Sequence, residues 1–248
     1  MSSSEYVFLG ILEQTKYLSA QNIPELMSLE NTLYQELSAH PDNVIGLTAM
    51  MNCQILLGNI SKAKALAHKI WSIGGEILEV VEASYLDALV NLGLIDMAMA
   101  LLKPRLSDLR NIGIFSKVTT KLAILTGNLS VIEKIYGNQK NYELENLVNL
   151  IQAYQELNYT EHFRHMQKMI FDYCKNYLAA YRYNVYIDRG FTDLESHIYV
   201  IVPDKECETF SANLNEKINA YCISSGIKRL NNYNFVIENV SHLPSYYK

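Results

Sequence analysis

A few side chains in this sequence stand at spacings that chemistry could use, and each set is incomplete. His162 and His165 lie three residues apart beside Glu161. On a helix that spacing puts two imidazoles on one face, where they can share a metal, but no third ligand stands at a matching position. The stretch from Asp188 to His197 carries Asp188, Arg189, Glu195 and His197. These bring carboxylates, a guanidinium and an imidazole to one hairpin, which are the ingredients of acid–base chemistry or of small-ligand binding. Cys207 or Cys222 could meet His197 across a small domain as a nucleophile with its base. No GxSxG elbow, glycine-rich phosphate loop or HExxH helix occurs, so the expectation is a chain without a catalytic centre, metal or cofactor.

Bulk properties narrow the function classes further. The 248 residues are 49% hydrophobic and 19% charged, enough apolar volume for a packed core and too little charge for a disordered chain. The net charge is −5; residues 1–180 hold 14 Lys+Arg against 18 Asp+Glu, and residues 181–248 hold 7 against 8. Neither part carries the basic surface that nucleic-acid binding needs. The four cysteines, Cys53, Cys174, Cys207 and Cys222, form no CxxC pair, so they read as buried thiols rather than as a zinc site or a disulfide framework. The opening residues lack a basic n-region, and no stretch reaches the roughly 18 uninterrupted apolar residues of a membrane span. A cytoplasmic, reducing location is the expectation.

The elements that position these side chains come from a repeat. LLGNISKAKAL at 56–66 is echoed by NLGLIDMAMAL at 91–101, LTGNLSVIEKI at 125–135 and, more weakly, ELNYTEHFRHM at 156–166. Gly58, Gly93, Gly127 and Asn158 are spaced by 35, 34 and 31 residues. Each falls where one helix should end and an antiparallel partner begin, a position that asks for positive φ. Two or three residues on stand Ser61, Asp96, Ser130 and Thr160, cap-type residues for the next helix. The apolar spacing on either side is helical, as in Leu47, Met50, Met51 and Ile55 before the first turn and Ala63, Leu66, Ala67 and Ile70 after it. An earlier copy with Asn22 at the turn and Pro24 near a helix start would bring the total to five helix pairs.

The segment HPDNVIGLTAMMNCQILLGNISKAKALAHKIW resembles a tetratricopeptide repeat, with Pro41 closing the previous unit, Gly58 at the turn and Ala63 at the small packing position. The second unit keeps Gly93 and Ala98; the later ones carry Ile132 and Phe163 at the small position. The resemblance covers roughly residues 20–177. It implies an α-α solenoid of four to five helix pairs whose first helices line a concave face. One position per unit then maps to Asn52, Asp87, Lys121 and Gln152, with Thr48, Ser84, Lys117 and Asn149 one turn earlier. The implied role of this polar row is to meet a peptide or helix of another polypeptide through hydrogen bonds and charge.

Past Tyr181 the period changes from helical to alternating. Tyr183, Val185 and Ile187 share one face of a strand and Ile198, Val200 and Val202 one face of a second, with RGFTDLE between them as the hairpin connection. Pro203 and Asp204 end the second strand and start a helix bearing Cys207, Phe210, Leu214, Ile218 and Tyr221; Gly226 ends it, and a last strand runs from about Tyr233 to Val240. The fold class expected is therefore mostly α, a helical repeat domain over 1–180 followed by a small α+β domain of β-β-α-β order over 181–248. Eight of the eighteen tyrosines, among them Tyr181, Tyr199, Tyr221 and Tyr246, lie in this last quarter, where they suit either sheet packing or an oligomer interface.

The function expected is a protein–protein interaction adaptor or chaperone-like scaffold that is not an enzyme. Its partner is another polypeptide, with a homo-oligomer through the C-terminal domain as a further possibility and no nucleic acid or membrane span. One rival is an enzyme or small-ligand sensor in the C-terminal domain with the repeats as a targeting arm. Another is a structural subunit that oligomerises through its tyrosine-rich sheet.

Overall fold

The computed structural model describes residues 3–75, 77–105, 115–126, 149, 152, 160–174, 177–188, 191–227 and 233–242. Seven helices come first: α1 Ser3–Thr15, α2 Ile23–Ala39, α3 Val44–Leu56, α4 Ile60–Ile73, α5 Glu79–Asn91, α6 Ile95–Leu102 and α7 Ser116–Thr126. They are followed by α8 Thr160–Cys174, strands β1 Leu178–Asp188 and β2 Phe191–Val200, helix α9 Asp204–Ser224, strand β3 Tyr233–Asn239 and a 3-10 turn, Val240–His242. The chain is mostly helical with a small three-stranded sheet towards its C-terminus. No helix among the described residues is long and apolar enough to cross a membrane.

Packing follows apolar content. Helix α3, VIGLTAMMNCQIL, is apolar on nearly every side and buries ten of its residues, as expected of a central helix. Asn43 starts it by accepting from the Gly46 N–H at 3.0 Å. It packs on α1, α2, α4 and α5, while α5 packs on α6 and α7. Successive odd-numbered helices α1, α3, α5 and α7 are thus neighbours, and each even-numbered helix lies against a preceding one. Helices α2, α4 and α6 bury narrower faces: Leu26 and Leu33 on α2, Ala63, Ala67 and Ile70 on α4, Ala98 and Leu102 on α6.

The turns at Gly58 and Gly93 have the same geometry. Gly58 has φ 77° and Gly93 φ 72°. At the first, the Gly58 N–H donates to Ile55 O at 3.0 Å and the Asn59 N–H to Gln54 O at 2.8 Å; at the second, the Gly93 N–H donates to Val90 O at 3.0 Å and the Leu94 N–H to Leu89 O at 2.9 Å. Both satisfy the end carbonyls of one helix as the chain reverses into the next. The expected side-chain caps do not form: α4 starts at Ile60 and α6 at Ile95, one residue before Ser61 and Asp96, so these residues fall inside the first turn. Gly127, Ser130, Ile132 and Asn158, and the Phe163 side chain, lie outside the described residues.

A side chain at either glycine is strained by its positive φ at a cost of about 1–2 kcal/mol. Gly93→Ala should cost more than Gly58→Ala, because a Cβ at Gly93 would come within 3.1 Å of Leu178 Cδ2, whereas at Gly58 the nearest atom is Ile201 Cδ1 at 3.5 Å. Thermal midpoints of the two variants check that order.

The sheet order is β1-β2-β3, with β1 antiparallel and β2 parallel to their successors. Strand β1 begins three residues before the expected boundary, and Asp188 pairs directly with Phe191, so FTDLE belongs to β2 and the connection is much shorter than RGFTDLE. The parallel β2–β3 pair requires a crossover, which α9 supplies. Gly226, φ 67°, ends α9 where the sequence placed its stop. One hydrophobic cluster runs unbroken from Met51, Tyr85 and Leu89 of the helices through Leu178, Tyr181 and Ile198 of the sheet to Leu214 and Ile218 of α9. The stretches 1–180 and 181–248 therefore share a core. A second cluster, with Phe8, Leu12, Leu33 and Ile45, joins α1 and α2 to α3.

Candidate functional site

The polar row divides into residues turned inward, on α3, α5 and α7, and residues left exposed. Thr48 is buried, its hydroxyl donating to Val44 O at 2.8 Å, four residues back on its own helix. Asn52 Nδ2 donates to Ser84 Oγ at 3.0 Å, tying α3 to α5. Asp87 is 8% exposed and Lys121 4% exposed; Lys121 Nζ is ion-paired to Asp87 Oδ1, tying α5 to α7. Asn91 Nδ2 donates to the other Asp87 oxygen at 3.1 Å, and Asn91 Oδ1 in turn accepts from the Tyr181 backbone N–H of β1 at 3.3 Å. Lys117, Asn149 and Gln152 are exposed.

The row is thus largely an internal ladder that links the helices to one another and to β1. Burial lowers the Lys121 pKa, and the Asp87 carboxylate opposes that shift, with nearby Arg182 and Lys117 acting in the same direction as burial. Helical spacing found these positions but could not say that a strand from the far end of the chain would cover them. Asn91, one turn past Asp87, is the member that sequence reasoning missed.

One face of the sheet continues this polar lining. Arg182 of β1 pairs in register with His197 of β2, so their side chains share a face, together with Glu195 and Tyr199 on β2. Glu238 on β3 pairs with Tyr199. The His197 ring lies between two carboxylates, with Nδ1 2.9 Å from Glu238 and Nε2 3.1 Å from Glu195. It can donate to both only as the imidazolium. Tyr199 stacks on the His197 ring, centroids 6.4 Å apart. Its phenol is pushed up to about 12 by burial first and then by Glu238, so it stays neutral and is no phenolate base. Arg182 acts electrostatically on both Tyr199 and Lys121, which makes it the link between the sheet cluster and the helical ladder.

This arrangement does not support the nucleophilic pairings read from the sequence. Cys207 and Cys222 pack with Ile198 and Ile237 on one side of the sheet, whereas His197, adjacent to Ile198 in the strand, points to the other. All four cysteines are buried thiols, and burial pushes Cys53 and Cys174 up to about 12, which leaves those two inert. His162 and His165 both engage Tyr221, the first by a hydrogen bond between Nδ1 and the hydroxyl at 2.8 Å, the second by stacking at 4.4 Å. No group of three potential metal ligands is found among the described residues. Arg189 and the Asp188 side chain lie outside the described residues.

No protein-family model matches this chain, and no curated protein or solved structure matches it either. The functional reading therefore rests on its surface. Tyr181 and Tyr199 are buried and serve the core; the side chains of Tyr183, Tyr186 and Tyr233, and Tyr246 and Tyr247, lie outside the described residues. Apart from Tyr177 and Ile223, every large hydrophobic residue exposed among the described residues falls between Tyr6 and Val80. Ile23, Met27 and Tyr34 form a stripe on α2, each about half exposed, about 100° round the helix from its buried Leu26 and Leu33. Tyr17 on the α1–α2 turn and Trp71 on α4 are also about half exposed.

Proposed function

We propose that this chain is a tetratricopeptide-like scaffold, without catalytic activity, that holds another polypeptide on the outer surface of its N-terminal helices. The observation that carries this reading is the concentration of exposed aromatic and aliphatic side chains on α1, α2 and α4, since exposed apolar side chains gathered in one part of a folded protein mark an interaction surface. The repeat reading is supported by the matched turns at Gly58 and Gly93 and by Ala63 and Ala98, both fully buried and 35 residues apart.

The inner row has a different role in this proposal. Asn52, Ser84, Asp87 and Lys121 tie the helices together and, through Asn91, receive β1, while Lys117, Asn149 and Gln152 are exposed members of the row outside the surface proposed here. The decisive experiment is affinity capture with the full chain as bait. The variant Tyr17→Ser/Met27→Ser/Tyr34→Ser/Trp71→Ser should lose proteins retained by the wild type at an unchanged thermal midpoint, while Lys117→Ala/Asn149→Ala/Gln152→Ala keeps them. The opposite pattern would return the working surface to the inner row.

A further inference from the structure

Between α2 and α4, above α3, runs a groove of about 540 Å³. Its floor is apolar, with Leu47 and Met50 from α3, Leu37 from α2 and Leu66 from α4, and Tyr34 stands on its rim. The α4 wall presents Lys62, Ala65, Leu66 and Lys69, which follow the i, i+3, i+4, i+7 spacing of one helix face.

The charge of that wall is one-sided. In a chain of net charge −5, α4 carries Lys62, Lys64, Lys69 and His68 and no acid. Two acids lie near the groove: Glu30, which accepts from the neutral Gln54 Nε2 at 2.7 Å and keeps its charge on the α2 side, and Asp42, 3.1 Å from Lys69, whose ammonium also donates to Pro41 O at 2.6 Å. Asp42 is largely exposed, so it offsets Lys69 weakly. Lys62 forms no ion pair among the described residues. The two rim lysines stand seven residues apart, roughly 10 Å along the helix axis.

From this apolar floor and basic rim we infer that the groove receives an acidic amphipathic helix of the partner polypeptide. Its apolar residues at i, i+3, i+4 and i+7 fill the space over Leu47, Met50 and Leu66. Carboxylates a heptad apart on its flank meet Lys62 and Lys69. An apolar helix face supplies the contact area, and the charge selects against basic helices and sets the register. This rests on the scaffold reading above and names the kind of segment that is held.

The test uses the full chain and a labelled synthetic helix with leucines at that spacing and flanking glutamates seven residues apart, followed by fluorescence anisotropy. The same helix with lysines for the glutamates is the comparison. The acidic helix should bind saturably and the basic one at least about tenfold more weakly, with Lys62→Glu/Lys69→Glu reversing the preference. Ala65→Glu, an exposed change in the groove wall, should abolish binding of the acidic helix without shifting the thermal midpoint. Equal binding of the two helices, or binding indifferent to Ala65→Glu, overturns the inference. If that happens while the four-residue surface variant still loses its captured proteins, the scaffold reading stands and only the groove assignment falls.

Discussion

Asp87→Ala lowers the unfolding free energy by about 3–5 kcal/mol, because it leaves the buried Lys121 ammonium without its counter-charge. Asn91 loses an acceptor in the same change and with it part of the restraint on its contact to Tyr181. Lys121→Ala leaves the Asp87 carboxylate stranded in the same way. The double variant Asp87→Leu/Lys121→Met removes both charges and should lie within about 1–2 kcal/mol of the wild type, since an apolar pair of similar volume can replace a buried ion pair at little cost. Urea midpoints of the wild type, Asp87→Leu, Lys121→Met and the double variant form the cycle. Single losses that simply add in the double variant would mean that the pair is not buried as described.

The same pair has a pH signature. Burial holds the Lys121 pKa below its ordinary value of 10.5, so between the two values the unfolded chain binds more protons than the folded one. Its contribution to the unfolding free energy therefore rises with pH across that window. Tyr85 and Tyr199, whose phenols burial pushes up from 10 to about 12, act in the opposite direction between those values. The Lys121 effect is accordingly read as the difference between wild type and Lys121→Met in the double-variant background.

Tyr181→Ala also costs about 3–5 kcal/mol, the loss typical of deleting a buried aromatic ring. The ring is fully buried against Phe171, centroids 5.8 Å apart, and its hydroxyl lies 2.9 Å from Ser196 Oγ inside the sheet. Tyr181→Phe, which keeps the ring, should cost only about 1 kcal/mol. Because one hydrophobic cluster spans the helices and the sheet, far-UV and near-UV signals should fall together in both variants. Two separated transitions, with only one moved by Tyr181→Ala, would mean that the helices and the sheet fold as independent units.

The helices and their turns were legible because the information is local. Gly58 and Gly93 need positive φ whatever surrounds them, and the apolar spacing on either side of Gly58 is written within one helix. The alternation in RYNVYID and SHIYVIV was equally readable, as was the helix stop at Gly226. The length of the hairpin connection was not, because Asp193 and Gly190 are turn-type residues and only the Asp188–Phe191 pairing decides between a long loop and a tight one. The polar row was found in part and given the wrong exposure: helical periodicity places Asp87 and Lys121 on one side of the stack, but their burial depends on β1, some sixty residues beyond Lys121 in sequence. The carboxylate–histidine–carboxylate cluster was half visible in Glu195 and His197, while Glu238 required the parallel β2–β3 register. The exposed stripe on α2 was written in Ile23, Met27 and Tyr34 and passed over, because a helix flanked by other apolar helices gives no sign of which of its faces stays uncovered.

The division of labour between an internal polar ladder and an external apolar flank is tested most directly by amide hydrogen exchange of the full chain, alone and in complex with a captured partner. Partner binding should slow exchange in α1, α2 and α4 and leave exchange at Asn52, Asp87, Asn91 and the β1 segment around Tyr181 unchanged. Slowed exchange confined to α3, α5 and α7, together with faster exchange in β1, would mean that the partner displaces the sheet and occupies the inner row, and would contradict that division of labour.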